Sequence, residues 1–289
     1  MTLYVPTIND QPADFDRLFH LWNQGNDDFL DVTFDFSRCY FLRQNGVAFL
    51  GGLVRLIEDR LGTVTFAWDT LQDGIRANLT QNGFMVAFGY GGGPWTGNSI
   101  PYREDRREDA SGLVDYLKTN WLGRGWVRIS QSLRNAIAGR VWEIYANAFE
   151  HGESPIGVFS CGQHYPSLGE LKLTVVDFGV GIPSNVRIFV GNSRITAASA
   201  LKWAFQRGTS TKPNGSGRGL GLDLLKAFVK LNKGRLEIFS HEGYALIDEN
   251  QETYLNRKAF FEGTLVNITF RCDESYYRLT SEATNEALF

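Results

Sequence analysis

The sequence predicts an α+β protein: a mixed sheet covered by helices on one face, preceded by a smaller βαβα unit. Three observations lead there. Apolar residues recur at helical spacing through 130–152, 197–208 and the stretch LDLLKAFVKLNKG. Three strand-like runs, RLEIFS, YALID and GTLVNITF, close the chain. Over residues 1–90, strands alternate with single helices, which suggests a small open sheet with parallel pairs.

Composition sets the bounds. The chain has 289 residues, 43% hydrophobic and 21% charged, enough for a real core and a prior of two domains. With a net charge of -3, a nucleic acid backbone is not the default partner. Cys39, Cys161 and Cys272 form no CxxC pair, so small buried thiols are expected rather than a zinc site or a disulfide framework. The start has no basic segment followed by an apolar one, and no run of about 18 apolar residues occurs. A cytoplasmic protein without a membrane span is the expectation.

The elements follow in order. Phe15, Leu18, Phe19 and Trp22 mark a helix over 13–24. DVTFDF alternates as a strand, 46–60 reads as an amphipathic helix interrupted by Gly51 and Gly52, and GTVTFAW reads as a second strand. A helix over 70–83 ends at Gly83, and FMVAF (84–88) reads as a third strand. Residues 89–112 are Gly-rich and polar, a long connector whose REDRRED run reads as a solvated loop. A short helix at 113–121 precedes a long one at 130–152, capped by Ser130 or Ser132, with Leu133, Ile137, Val141, Ile144 and Ala148 as its buried stripe. ELKLTVVDFG is an apolar strand running into a Gly turn.

Three local patterns could carry chemistry. Glu143, Asn147 and His151 lie four residues apart, hence on one helix face. That stripe reads either as a solvated face or as a metal-phosphate face, with an Asn oxygen suited to Mg²⁺ and a carboxylate able to orient water. Asp177 closes an apolar strand and needs donors. It reads either as the cap of a strand-end turn or as the acceptor for the exocyclic amine of adenine, which guanine cannot match. Gly179 and Gly181 beside it permit close approach of a flat ligand. The third pattern is GTSTKPNGSGRGLGLDLLK (208–226). It fails as Walker A, because Lys212 is followed by Pro213, and as a dinucleotide fingerprint, because its glycines follow a polar loop. A loop feeding a helix N-terminus near 220–222 remains, either a plain flexible loop or a phosphate cradle.

Taken in order, EIYANAFEH (143–151), DFGVGI (177–182) and GRGLGL (217–222), with EGTLVNITF near the end, resemble the GHKL superfamily of ATPases, which includes gyrase B, the ninety-kilodalton heat-shock chaperone, histidine kinases and the mismatch-repair ATPases. The resemblance spans roughly 130–271 and implies a Bergerat fold over 130–289, with ATP and Mg²⁺ as cofactors. It implies Glu143 as general base or water-orienting residue and Asn147 as Mg²⁺ ligand. Asp177 and Thr264 would read adenine, with Gly179, Gly181 and Ile182 beside the base. Gly217, Arg218, Gly219, Leu220, Gly221 and Leu222 would hold phosphates. Thr209, Ser210, Thr211 and Lys212 would belong to an ATP lid at 205–218, with Lys212 reaching the terminal phosphate.

Residues 1–90 are similar to the STAS domain of anti-sigma-factor antagonists, with 91–129 as connector. Gln44 or Asn45 stands where that family's phosphorylatable Ser would be. The resemblances imply an ATPase switch acting on a protein partner, such as a small STAS-like or regulatory protein, or an ATP-dependent homodimer. A serine/threonine kinase of the anti-sigma-factor type and an ATP-dependent interaction module with little turnover are the other readings.

Overall fold

The structure, a computed structural model, describes residues 1–92, 97–206 and 221–285. It opens with a three-stranded sheet in which β1 (Thr2–Tyr4), β2 (Asp31–Asp35) and β3 (Thr63–Ala67) pair in parallel, in sequence order. Parallel neighbours need crossovers. Here α1 (Pro12–Gly25) joins β1 to β2, and α2 (Gln44–Asp59) joins β2 to β3. After α3 (Asp73–Gln81), the run FMVAF is not a strand: Phe84–Ala87 forms a helical turn, α4. Gly83, at φ +81°, reverses the chain, the Asn82 side chain accepts the Phe84 N–H at 2.9 Å, and Phe84 and Met85 turn into the core. So short an apolar run has no period to separate strand from helix.

The second sheet is built from β4 (Ser99–Asp105), β5 (Val158–Tyr165), β6 (Glu170–Asp177), β7 (Arg235–Asp248) and β8 (Glu252–Arg271), in the order β4-β5-β6-β8-β7. Every neighbour is antiparallel, so the expected mixed sheet is corrected. The cause is the short links between β5 and β6 and between β7 and β8, which can join only antiparallel strands. β4 lies inside the expected connector: the start of its charged run, Arg103–Asp105, ends an edge strand in which Arg103 pairs with Asp105 at 2.6 Å, while 106–109 stay outside any strand. RLEIFS and YALID are two halves of one strand, β7, whose register shifts between Ser240 and Gly243 while His241 takes φ +53°.

The helices of this part are α5 (Ala110–Tyr116), α6 (Gln131–His151), α7 (Gly181–Val190), α8 (Ala197–Ala204), α9 (Gly221–Leu231) and α10 (Thr280–Asn285). Ser130 caps α6, its Oγ accepting the Leu133 N–H. Tyr145, not Ile144, completes the buried stripe. None of these helices, nor any other among the described residues, is long and apolar enough to cross a membrane.

The two-residue strand period divides the sheet into two faces. Leu171, Leu173 and Val175 of β6, with Val266, Ile268 and Phe270 of β8, pack under α6 and α9. Val176, Leu265, Phe159 and Phe239 point the other way, into one continuous core with Phe15 and Phe19 of α1 and Phe49 and Leu53 of α2. Helices therefore cover both faces, not one, because the second face is as apolar as the first. A buried polar seam completes that contact. Tyr165 donates to the Gln44 side chain at 2.9 Å, Gln44 donates to Asn267 at 3.2 Å, and Asn267 and Tyr244 donate to Glu237. Lys172 pairs with Asp10 across the same junction.

Candidate functional site

Strand β6 ends at Asp177, whose side chain shares the face of Val175, beside α6. Its register partner on β8 is Thr264. Asp177 is 4% exposed, its Oδ1 accepts the Gly179 N–H at 3.0 Å, and Thr264 backbone hydrogen bonding adds support. No cation offsets the burial among the described residues, and burial pushes the carboxyl up to about 7. A buried acid with spare acceptor capacity and no counter-ion suits a ligand that brings a donor.

The loop after Asp177 is fixed from two sides. Val180 N–H donates to the Gly152 carbonyl at the end of α6 at 2.7 Å, and Asn185 of α7 donates to the His151 carbonyl at 2.8 Å. A Cβ at Gly179 would stand 1.7 Å from that Gly152 oxygen. Gly181, at φ +73°, has the Glu262 carbonyl where its Cβ would be, at 2.3 Å. Both glycines are thus required by backbone packing, whatever lies beyond them. Gly181→Ala is expected to cost about 2–3 kcal/mol of stability, read as a lower urea midpoint with unchanged slope.

Three residues that sequence reasoning did not single out hold this loop. Ser240 Oγ accepts the Ile182 N–H at 3.0 Å, donates to the Gly263 carbonyl at 2.9 Å, and lies 3.2 Å from Thr264 Oγ1. His241 donates from Nε2 to the Val180 carbonyl at 2.9 Å, while Arg187 faces its Nδ1 at 3.3 Å. Burial, the larger cause, and Arg187 hold its pKa below the usual imidazole value, which keeps it neutral and donating. Phe178, between Asp177 and Gly179, is buried against α2. The Gly243 that follows Ser240 and His241 signals a bulge in the strand, but their partners lie far away in sequence.

On α6, Glu143 and Asn147 share the expected face. Arg140 donates to Glu143 Oε1 at 2.5 Å, Glu143 keeps 22% of its side chain exposed, and Asn147 is exposed. The Gly152–Val180 and His151–Asn185 bonds join the C-terminal end of this helix to the Asp177 loop and α7. α9 packs alongside α6 and begins at Gly221. Thr209, Ser210, Thr211, Lys212, Gly217, Arg218, Gly219 and Leu220 lie outside the described residues. No cluster of three or more His, Cys, Asp or Glu among the described residues could hold a metal alone. One Asn oxygen fits Mg²⁺ bound mainly through phosphates and water.

The α+β domain thus places a buried acid at the end of an inner strand, on the side of the sheet that α6 covers. Residues 134–273 match the family model described as histidine kinase-, DNA gyrase B-, and HSP90-like ATPase. This stretch is similar to the GHKL-like ATPase domains, a likeness that suggests ATP binding. The match begins within α6, so β4 and the N-terminal unit lie outside it. No curated protein matches the chain.

Proposed function

We propose that the protein is a Mg²⁺-dependent ATPase that acts as a nucleotide-driven switch on a protein partner. The observation that supports this reading is the junction of α6, which carries Glu143 and Asn147, with the Asp177 loop through Gly152 and Val180. Asp177 accepts from the adenine amine, supported by Thr264. Gly179, Gly181 and Ile182 form the backbone against which the base lies. Asn147 supplies an oxygen to Mg²⁺, which when bound offsets phosphate charge. Glu143 orients or deprotonates the attacking water. The N-terminal unit is a STAS-like module through which the change reaches the partner.

The ion pair of Glu143 with Arg140 favours a second reading, an ATP-dependent interaction module with little turnover, since it occupies a carboxylate oxygen that would otherwise orient water. Steady-state phosphate release separates the two. Glu143→Ala is expected to lower turnover about 100-fold or more while ATP still binds. Asn147→Ala is expected to abolish Mg²⁺-dependent binding. An unaltered rate in Glu143→Ala would refute the catalytic role. Labelled phosphate appearing on a STAS-like protein would move the assignment to a kinase.

A further inference from the structure

We infer that helix α2 of the N-terminal unit sets the adenine selectivity of the ATP site, through Gly52 and Phe178. This rests on the reading of Asp177 given above. Asp177 and Phe178 are neighbours on opposite faces of the sheet. Asp177 stands on the α6 side and Phe178 on the α2 side, so the position of one ring governs the carboxylate beside it. Phe178 is packed by Phe49 at 5.2 Å between ring centroids, Phe261 at 5.3 Å and Phe159 at 6.1 Å. The remaining side is closed by α2 at Gly52: a Cβ there would stand 2.1 Å from Phe178 Cε2 and 2.9 Å from Phe159 Cδ2.

Two adjacent glycines in the middle of a 16-residue helix weaken it relative to Ala, so each calls for a packing reason. Gly51 has a different one. Its Cβ would stand 2.0 Å from the Tyr102 hydroxyl, on edge strand β4, two strands away from β6. The pair thus separates two effects that one substitution would mix. Filling Gly51 disturbs an edge of the sheet, whereas filling Gly52 disturbs the residue joined to Asp177 and, through it, Gly179. With Phe49, Phe159 and Phe261 packed around the ring, a shift forced on Phe178 is resisted by its neighbours and passes in part to its backbone. Phe178 is therefore a positioning residue and Gly52 the surface it rests on.

The test measures ATP and GTP affinity by calorimetry on folded full-length protein, below its melting temperature. Wild type is expected to prefer ATP strongly. Gly52→Ala is expected to lose at least tenfold in ATP affinity with little change for GTP, so the preference collapses. Gly51→Ala is expected to melt earlier yet keep the wild-type preference. Adding Phe178→Leu to Gly52→Ala removes the ring edge and is expected to restore part of the preference, which a purely structural defect would not show. If Gly52→Ala does not fold, Phe178→Leu alone carries the test and is expected to weaken the preference. A folded Gly52→Ala, or in its place Phe178→Leu, with the wild-type ATP-to-GTP ratio overturns the inference and leaves the ATP reading standing. A wild type that binds no ATP overturns both.

Discussion

Asp177→Asn is expected to lower ATP affinity by about two to three orders of magnitude while making the protein more stable at pH 8. Both effects come from the same buried carboxyl. The Gly179 N–H already points at Oδ1. An Asn in that place must turn its own oxygen to that donor, which leaves its NH₂ facing the adenine amine, donor against donor. Calorimetric titration with ATP reads the loss. The stability effect has a defined pH window. The folded-state pKa, about 7, lies above the unfolded value of 3.8, so the native state keeps a proton that the unfolded chain releases between those pH values. Wild-type stability therefore falls as pH rises through that window, by about 1.4 kcal/mol per unit and on the order of 4 kcal/mol in all. Asn carries no charge to bury and is spared that cost. Urea midpoints of the two proteins should diverge from pH 4 to pH 7 and run parallel above it. Parallel curves across the whole range would show that Asp177 is not held as a buried acid.

What could be read from the sequence was local. Glu143 and Asn147 fall on one helix face by spacing, and Asp177 closes an apolar strand before a Gly turn. Both patterns survive because their geometry is decided within a few residues. What could not be read depends on pairing. β4 was hidden because its charges pair with each other, Arg103 with the buried Asp105, so both look like loop residues in the sequence. The direction of each strand pair is set by links and register that no single run displays. Ser240 and His241 reach the Asp177 loop only after β7 bends, 58 to 61 residues along the chain from their partners. Phe178 looked like one more apolar letter in a strand. Its importance lies in Gly52, over a hundred positions earlier, in a unit that the sequence presents as separate.

That apparent separateness bears on the second large effect. A chain beginning at residue 97 keeps every strand of the five-stranded sheet and the whole of residues 134–273, yet it is expected to be insoluble or molten. The reason is the face that α1 and α2 cover. Phe159, Val176, Phe178, Phe239, Phe261 and Leu265 all belong to the core shared with those helices. Exposing each costs about 1.5–3 kcal/mol, on the order of 10–15 kcal/mol together, which equals or exceeds the whole stability of an ordinary domain. The ion pairs of Asp10 with Lys172 and Asp16 with Arg257 are lost as well, but solvent now reaches those cations, so they add little. The fragment 1–92 faces the same problem from the other side, with Phe15, Phe19 and Phe49 uncovered. Expressed alone, each piece should bind a hydrophobic dye and melt without cooperativity. Expressed together, they should co-purify and recover a single transition, since the missing surface of each is the other. A soluble 97–289 fragment with a cooperative melt would show instead that the N-terminal unit is an appended module, and its contact with Phe178 would then be a docking contact rather than part of one core.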